Sequence, residues 1–236
     1  MKRICLLGVL LVPLVLAGCS EDSDCDCDGP GRGGTGGTAE PGPLATGLTY
    51  NNPAAADDEW ALVRNDAAST DTRVVLDLKG PQDGSKFRGI GFTLEADPAL
   101  VKFGRFTDDA GKLRYYRDGG VFRDAFVDQM DPTPVDLPPM LQVGGVHQGK
   151  LMVGIFQKGD DEIMPTYMPG LMGPTAKDCR GTVLQVAIEL DPALKASVGE
   201  VPLAVRKARV MPEHRGNLPE HEIRDVTLRV GTLTLN

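Results

Sequence analysis

Apolar residues at every second position, repeated in run after run, restrict most of this chain to β-structure. A period of two places alternate side chains on opposite faces of a strand. Val74, Leu76 and Leu78 fall on one side of such a segment, with Arg73, Asp77 and Lys79 on the other. Ile90, Phe92, Leu94 and Ala96 form the next apolar face, with Thr93 and Glu95 opposite. Leu151, Val153 and Ile155 form a third, and Met152 and Phe156 behind them predict a strand covered on both sides. Leu184, Val186, Ile188 and Leu190 repeat the pattern, as do Val201, Leu203 and Val205. Val226, Leu228 and Val230 share one parity and Leu233 and Leu235 the other, so a β-bulge is expected at Gly231. Weaker strands are expected at 60–65, 101–106, 113–116 and 121–127. No 12-residue stretch free of Pro and Gly carries helical periodicity. With 29 Gly and 18 Pro to supply turns, the reading is an all-β sandwich of nine or ten short strands over residues 46–236. A domain of that length buries about 70% of its unfolded surface, so it needs neither disulfide nor metal to fold.

Two strand exits carry the same tetrapeptide. Asp97-Pro98-Ala99-Leu100 follows the run ending at Ala96, and Asp191-Pro192-Ala193-Leu194 follows the run ending at Leu190. Asp can cap a single helical turn, Pro fits its first position, and Leu can fold back onto the core.

The first residues have a different character. Lys2 and Arg3 precede an apolar stretch from Ile4 to Ala17, too short to span a bilayer as a helix. It ends Leu16-Ala17-Gly18-Cys19, which resembles the lipobox of bacterial lipoproteins at every position. The resemblance implies a signal peptide at 1–18, cleavage between Gly18 and Cys19, and acyl chains on Cys19 as the membrane anchor. Ser20, where Asp would imply inner-membrane retention, implies the outer membrane, on its periplasmic or cell-surface side. Residues 19–45 carry Glu21, Asp22, Asp24, Asp26 and Asp28 and then Gly-rich sequence without apolar periodicity. Such composition predicts a flexible tether. The acidic block also resembles the surface-export signals of some lipoproteins.

Beyond Cys19 the chain keeps Cys25, Cys27 and Cys179. Three is an odd number for an oxidising compartment. A disulfide from Cys179 to Cys25 or Cys27, free or intermolecular thiols, and a C-x-C metal site all stay open.

Net charge is −8, and losing Lys2 and Arg3 makes it more negative still. An acidic chain repels phosphates, so nucleic acid is excluded as a partner. His147, His214 and His221 match no zinc spacing, and no G-x-S-x-G elbow is present. Asp108-Asp109 and Asp160-Asp161-Glu162 sit in Gly-containing turns, where Asp serves the backbone or supplies oxygen ligands for Ca²⁺. Residues 164–172, MPTYMPGLM, place Met164, Met168 and Met172 four apart, with Tyr167 between the first two. Thioethers so spaced suit Cu(I), an adaptable partner surface, or packing across one face of the sandwich. Aromatic residues total only 5%, a thin supply for stacking on sugars. Tyr115 and Tyr116 are adjacent, so one of them faces solvent if they lie on a strand.

The order of features is similar to that of cohesin modules and their carbohydrate-binding relatives. A strand at 74–79 is followed by Phe87-Arg88-Gly89-Ile90-Gly91-Phe92-Thr93-Leu94, an Asp-Pro turn and Val101-Lys102-Phe103. Strands at 151–156, 181–190 and 199–210 follow, and a final one ends Gly231-Thr232-Leu233. The resemblance covers residues 70–236 and implies a nine-stranded jelly-roll sandwich with no catalytic site and no cofactor. It implies a module that binds a protein or a glycan. The Met spacing and the adjacent tyrosines make Tyr115, Tyr116, Met164, Tyr167, Met168 and Met172 the expected contact residues, although 157–180 has no counterpart in the resemblance. The alternative expectation is an envelope metal-binding lipoprotein that holds copper on the Met segment or calcium on the acidic turns.

Overall fold

The computed structural model describes residues 42–122, 124–126, 135–137, 141–157, 176–212 and 223–236. The strands in chain order are β1 (Leu48–Asn51), β2 (Trp60–Arg64), β3 (Arg73–Lys79), β4 (Lys86–Ala96), β5 (Lys102–Phe103), β6 (Phe106–Thr107) and β7 (Leu113–Arg114). Then come β8 (Arg117–Asp118), β9 (Asp124–Phe126), β10 (Val135–Leu137), β11 (Leu141–His147), β12 (Lys150–Phe156) and β13 (Lys177–Asp178). The series ends with β14 (Thr182–Glu189), β15 (Gly199–Val201), β16 (Leu203–Pro212), β17 (Arg224–Asp225), β18 (Leu228–Arg229) and β19 (Thr232–Leu235). Nine of these have four residues or more: β1 to β4, β11, β12, β14, β16 and β19. The described residues contain no α-helix, and the chain is all-β as its periodicity predicts.

Two six-stranded sheets face each other. One runs β11-β12-β4-β16-β17 with β13 also on β4; the other runs β18-β2-β3-β14-β5 with β8 also on β14. Every pairing within them is antiparallel except β18 with β2. Ile90, Leu94, Leu151 and Ile155 from the first sheet join Leu62, Val74, Leu76, Leu184 and Ile188 from the second in one buried cluster. Each such side chain contributes about 1.5–3 kcal/mol when removed from water, so this shared interior is what holds the sheets face to face.

The second sheet is also covered on its outer side. The β6–β7 hairpin lays Phe106 over Val75 and Ala187, which explains why β3 and β14 are buried almost throughout. The guanidinium groups of Arg73 and Arg117 each lie 4.9 Å from the centre of the Phe106 ring. On the same outer side Asp77 is only 8% exposed. Its carboxylate accepts from Asn65 Nδ2 (3.1 Å), Gln185 Nε2 (2.8 Å) and Thr182 Oγ1 (3.0 Å). A buried carboxylate is tolerated because its oxygens are hydrogen-bonded.

Both Asp-Pro-Ala-Leu exits form the expected capped turn. Asp97 Oδ1 accepts from the Ala99 amide and Asp191 Oδ1 from the Ala193 amide, each at 2.9 Å. Pro192–Leu194 is a single 3₁₀ turn.

Several expectations need correction. Gly231 is not a bulge but a change of sheet: Leu228 pairs with Trp60, whereas Leu233 pairs with Tyr50 and Val201. The parity flips because the chain crosses from the second six-stranded sheet to the three-stranded sheet β1-β19-β15. The run 201–205 is likewise two strands, divided at Pro202, which has no N–H to continue a ladder. An irregularity between Val205 and Lys207 leaves Arg206 as the extra residue. β12 is covered on its outer side only in part: Gly154 is buried under the Phe156 ring, whereas Met152 is 50% exposed. Residues 43–45, read from composition as tether, hydrogen-bond to 196–198: Ala45 N to Ala196 O (2.8 Å) and Val198 N to Pro43 O (3.1 Å).

Candidate functional site

The outer face of the β11–β12–β4–β16 surface follows from register. Val143, Gly145 and His147 on β11 stand opposite Gly154, Met152 and Lys150 on β12. Those in turn stand opposite Gly91, Thr93 and Glu95 on β4. Lys207, Arg209 and Met211 on β16 complete the face beside Thr93, Gly91 and Gly89. Glycines in the middle of a sheet remove side-chain height, and here they make a flat centre. The Phe156 ring lies across it: a Cβ on Gly89 would meet Phe156 at 2.4 Å, on Gly154 at 3.0 Å and on Gly91 at 3.1 Å. Glycine at these positions is thus required by close approach of an aromatic ring.

Val143 and Met152 are each 50% exposed on this platform. Its margin is ionic. Glu95 accepts from Arg206 Nε at 2.5 Å and pairs with Lys150 Nζ at 2.9 Å. These two cations, Arg206 first, hold the Glu95 carboxyl below the usual carboxylate range. Arg209 Nε donates to Asp225 Oδ1 at 2.8 Å, and Lys207 is exposed. A flat apolar centre with a charged rim is the anatomy of a protein-binding surface.

The residues expected at the contact surface fare differently. Tyr116 is a correction: it is 4% exposed and belongs to the core. Its ring lies under β11, where a Cβ on Gly144 would meet it at 2.5 Å, and its hydroxyl donates to Gln142 Oε1 at 2.9 Å. Tyr115 is half-buried; its hydroxyl accepts from Arg105 Nη2 at 2.7 Å and its ring carries the Arg105 guanidinium at 4.7 Å. The two tyrosines lie between β7 and β8 rather than on a strand, so strict alternation does not apply to them. Met164, Tyr167, Met168 and Met172 lie outside the described residues, as do Gly18, Cys19, Cys25, Cys27, His214, His221, Asp160, Asp161 and Glu162.

Cys179 is fully buried, and its thiol donates to the Lys177 carbonyl at 3.4 Å. Burial, and then the neighbouring Asp178, push this thiol up to about 12, so it is neither a thiolate nucleophile nor an exposed metal ligand. Asp108 serves its turn: Oδ1 accepts from Ala110 N (3.1 Å) and Lys112 N (2.7 Å), and Oδ2 from Arg114 Nε (3.1 Å). Among the described residues no cluster of His, Cys, Asp or Glu is grouped to hold a metal ion. The sheet face itself was missed in the sequence. Its signal was the glycine set 89, 91 and 154, which looks like turn material until strand register aligns it.

No protein-family model matches the chain, and no curated protein matches it in sequence. Solved structures that it is similar to include a type I cohesin–dockerin complex from Clostridium thermocellum, with a TM-score of 0.36 and 11% identity. That match covers 77% of this chain and 95% of the other. A second is the cohesin module of a family 33 glycoside hydrolase from Clostridium perfringens, with a TM-score of 0.33, 11% identity, and 79% and 98% covered. A third is a structure of manganese lipoxygenase of Gaeumannomyces graminis with partial zonadhesin of Komagataella pastoris. Its TM-score is 0.30 at 11% identity, covering 84% of this chain and 58% of that one.

Proposed function

We propose that this chain is a lipid-anchored envelope protein whose sandwich is a non-catalytic module that binds another protein. The observation that carries the reading is the β11–β12–β4–β16 face. It is flat, has Val143, Met152 and the Phe156 ring near its centre, and carries Lys150, Arg206, Lys207 and Arg209 around them. Glu95 and Asp225 pair with three of these four cations, which leaves these groups positive by two on a chain of net charge −8. A partner of matching chemistry presents an apolar patch ringed by carboxylates.

The decisive experiment recovers partners from the native envelope with the protein as bait. Val143→Asp with Met152→Asp is expected to reduce recovery at least about tenfold, since burying two unpaired charges opposes binding by well over the 1.4 kcal/mol per decade. Both side chains are half-exposed, so the fold is retained. Undiminished recovery would remove this face from the proposal, and substrate turnover by the intact protein would remove the non-catalytic reading.

The anchor rests on Leu16-Ala17-Gly18-Cys19 and on Ser20, which together favour an outer-membrane lipoprotein. Metabolic labelling with a palmitate analogue is expected to mark the protein and to fail with Cys19→Ser. Equal labelling of both would exclude acylation at Cys19.

A further inference from the structure

β11 is the outermost strand of its six-stranded sheet, and among the described residues no strand pairs with its free side. We infer that this edge is a self-association site, where β11 of a second copy of the chain adds antiparallel across a two-fold axis. The inference concerns the backbone of one strand and is independent of the partner assigned to the sheet face.

The hairpin decides which backbone groups are free. Gln148 and Gly149, with φ of 48° and 73°, form the two-residue turn between β11 and β12, and two positive φ values define a type I′ turn. Such a turn is closed by a hydrogen-bonded pair, here His147 with Lys150. Hydrogen-bonded pairs recur at every second residue of an antiparallel ladder. Leu141, Val143 and Gly145 therefore direct their N–H and C=O groups to β12. Gln142, Gly144 and Val146 direct theirs outward, and these groups have no backbone partner among the described residues. The side chains of this second set fix the strand from beneath. Val146 packs on the core, and Gln142 Oε1 accepts from the buried Tyr116 hydroxyl at 2.9 Å.

Proteins ordinarily blunt an open edge with charge, proline, a bulge or brevity. The other outer edges of the two six-stranded sheets are brief, since β17, β18 and β5 have two residues each. β11 has seven, which makes about 24 Å of edge. It holds no Lys, Arg, Asp, Glu or Pro, and its ladder with β12 has no bulge.

The strand is complementary to itself. With a two-fold axis at Gly144, that residue faces its own counterpart and Gln142 faces Val146 of the other copy. Every outward N–H and C=O of both strands is then paired. The same register sets Val143 against Gly145 of the other copy on the outer face of the sheet. Val143 is 50% exposed, and a Cβ at Gly145 would meet nothing within 4 Å. A projecting side chain thus meets an open place, once on each side of the axis. Copies of net charge −8 repel one another, and β11 lets them meet along a strand that carries no formal charge. A contact confined to one strand edge falls below the roughly 1,200 Å² of a standard interface, so the dimer is expected to form only above about 10 μM.

The test is sedimentation velocity on the full protein in mild detergent, from about 5 to about 500 μM. The average mass is expected to rise toward that of two chains. Gly145→Lys puts bulk and charge where the fold has room for a side chain, and is expected to weaken association at least about tenfold. Lys207→Ala, three strands away on the sheet face, is expected to leave association unchanged. Val143→Cys with Gly145→Cys is expected to give a disulfide-linked dimer on mild oxidation, because each new thiol faces its counterpart across the axis. Neither substitution alone is expected to do so. A protein that stays monomeric throughout would overturn the inference. So would association that survives Gly145→Lys, or a double cysteine variant that cross-links no more than the single ones. If the protein is monomeric and Gly145→Lys instead reduces recovery of an envelope partner, the edge belongs to a strand of that partner and not to a second copy.

Discussion

Trp60→Ala is expected to lower stability by about 3–5 kcal/mol, the range for truncating a large aromatic in a core. Trp60 is fully buried in β2, and its ring meets Phe87 edge-on at a centroid distance of 5.2 Å. It lies where the parallel strand β18 joins, opposite Leu228, so the cavity would open at the edge of the second sheet. A domain of ordinary stability has only about 5–15 kcal/mol in total. Guanidinium unfolding followed by far-UV circular dichroism should therefore show a large fall in midpoint. Trp60→Phe is expected to lose much less. The indole N–H finds no acceptor among the described residues, so phenylalanine gives up volume but no hydrogen bond. Equal losses for the two variants would show that something other than cavity size governs the site.

Gly231→Ala is expected to destabilise by about 3 kcal/mol, at the upper end of what overpacking costs. A Cβ there would lie 1.8 Å from the Asn51 carbonyl oxygen and 3.0 Å from the Tyr50 ring. The obstacle is backbone, so a rotamer change cannot relieve it. The clash also disturbs a chain of hydrogen bonds. The Gly231 amide donates to the Tyr50 hydroxyl at 2.6 Å, and that hydroxyl donates to the Leu62 carbonyl at 2.9 Å. Burial raises this phenol to about 12, so it remains a donor throughout the range in which the protein is handled. Gly145→Ala is the comparison: a Cβ there meets nothing within 4 Å, and the expected change is within about 0.5 kcal/mol. Thermal unfolding of the two variants side by side checks the contrast, and similar midpoints would refute the steric argument.

Legibility in the sequence followed burial pattern. Val74, Leu76 and Leu78, or Ile90, Phe92 and Leu94, announce their strands because one face meets the core and the other does not. β11 escaped because Gly144 and Gly145 interrupt its alternation, although its ladder with β12 is unbroken from Leu141 to His147. The Gly231 crossing was visible as a parity change, yet parity alone cannot distinguish a bulge from a change of sheet. That choice is made by long-range pairing with Tyr50 and Val201. Tyr116 misled for a related reason. Adjacent tyrosines imply one exposed ring only within a strand, and the bend between β7 and β8 turns this one inward. The proposed binding face was the least legible, because it is assembled from glycines on separate strands and has no contiguous motif.

The clasp between β1 and β19 has a consequence for the order of events in folding. Leu48 pairs with Leu235 and Asn51 with Thr232, so β1 finds its partner only after more than 180 further residues have been made. Closing so long a loop is slow, because the chain gives up its freedom before these contacts form. Until then Leu48 and Tyr50 have no ladder to hold them in the core, and the nascent domain stays open. The closing of β19 onto β1 ends that open phase.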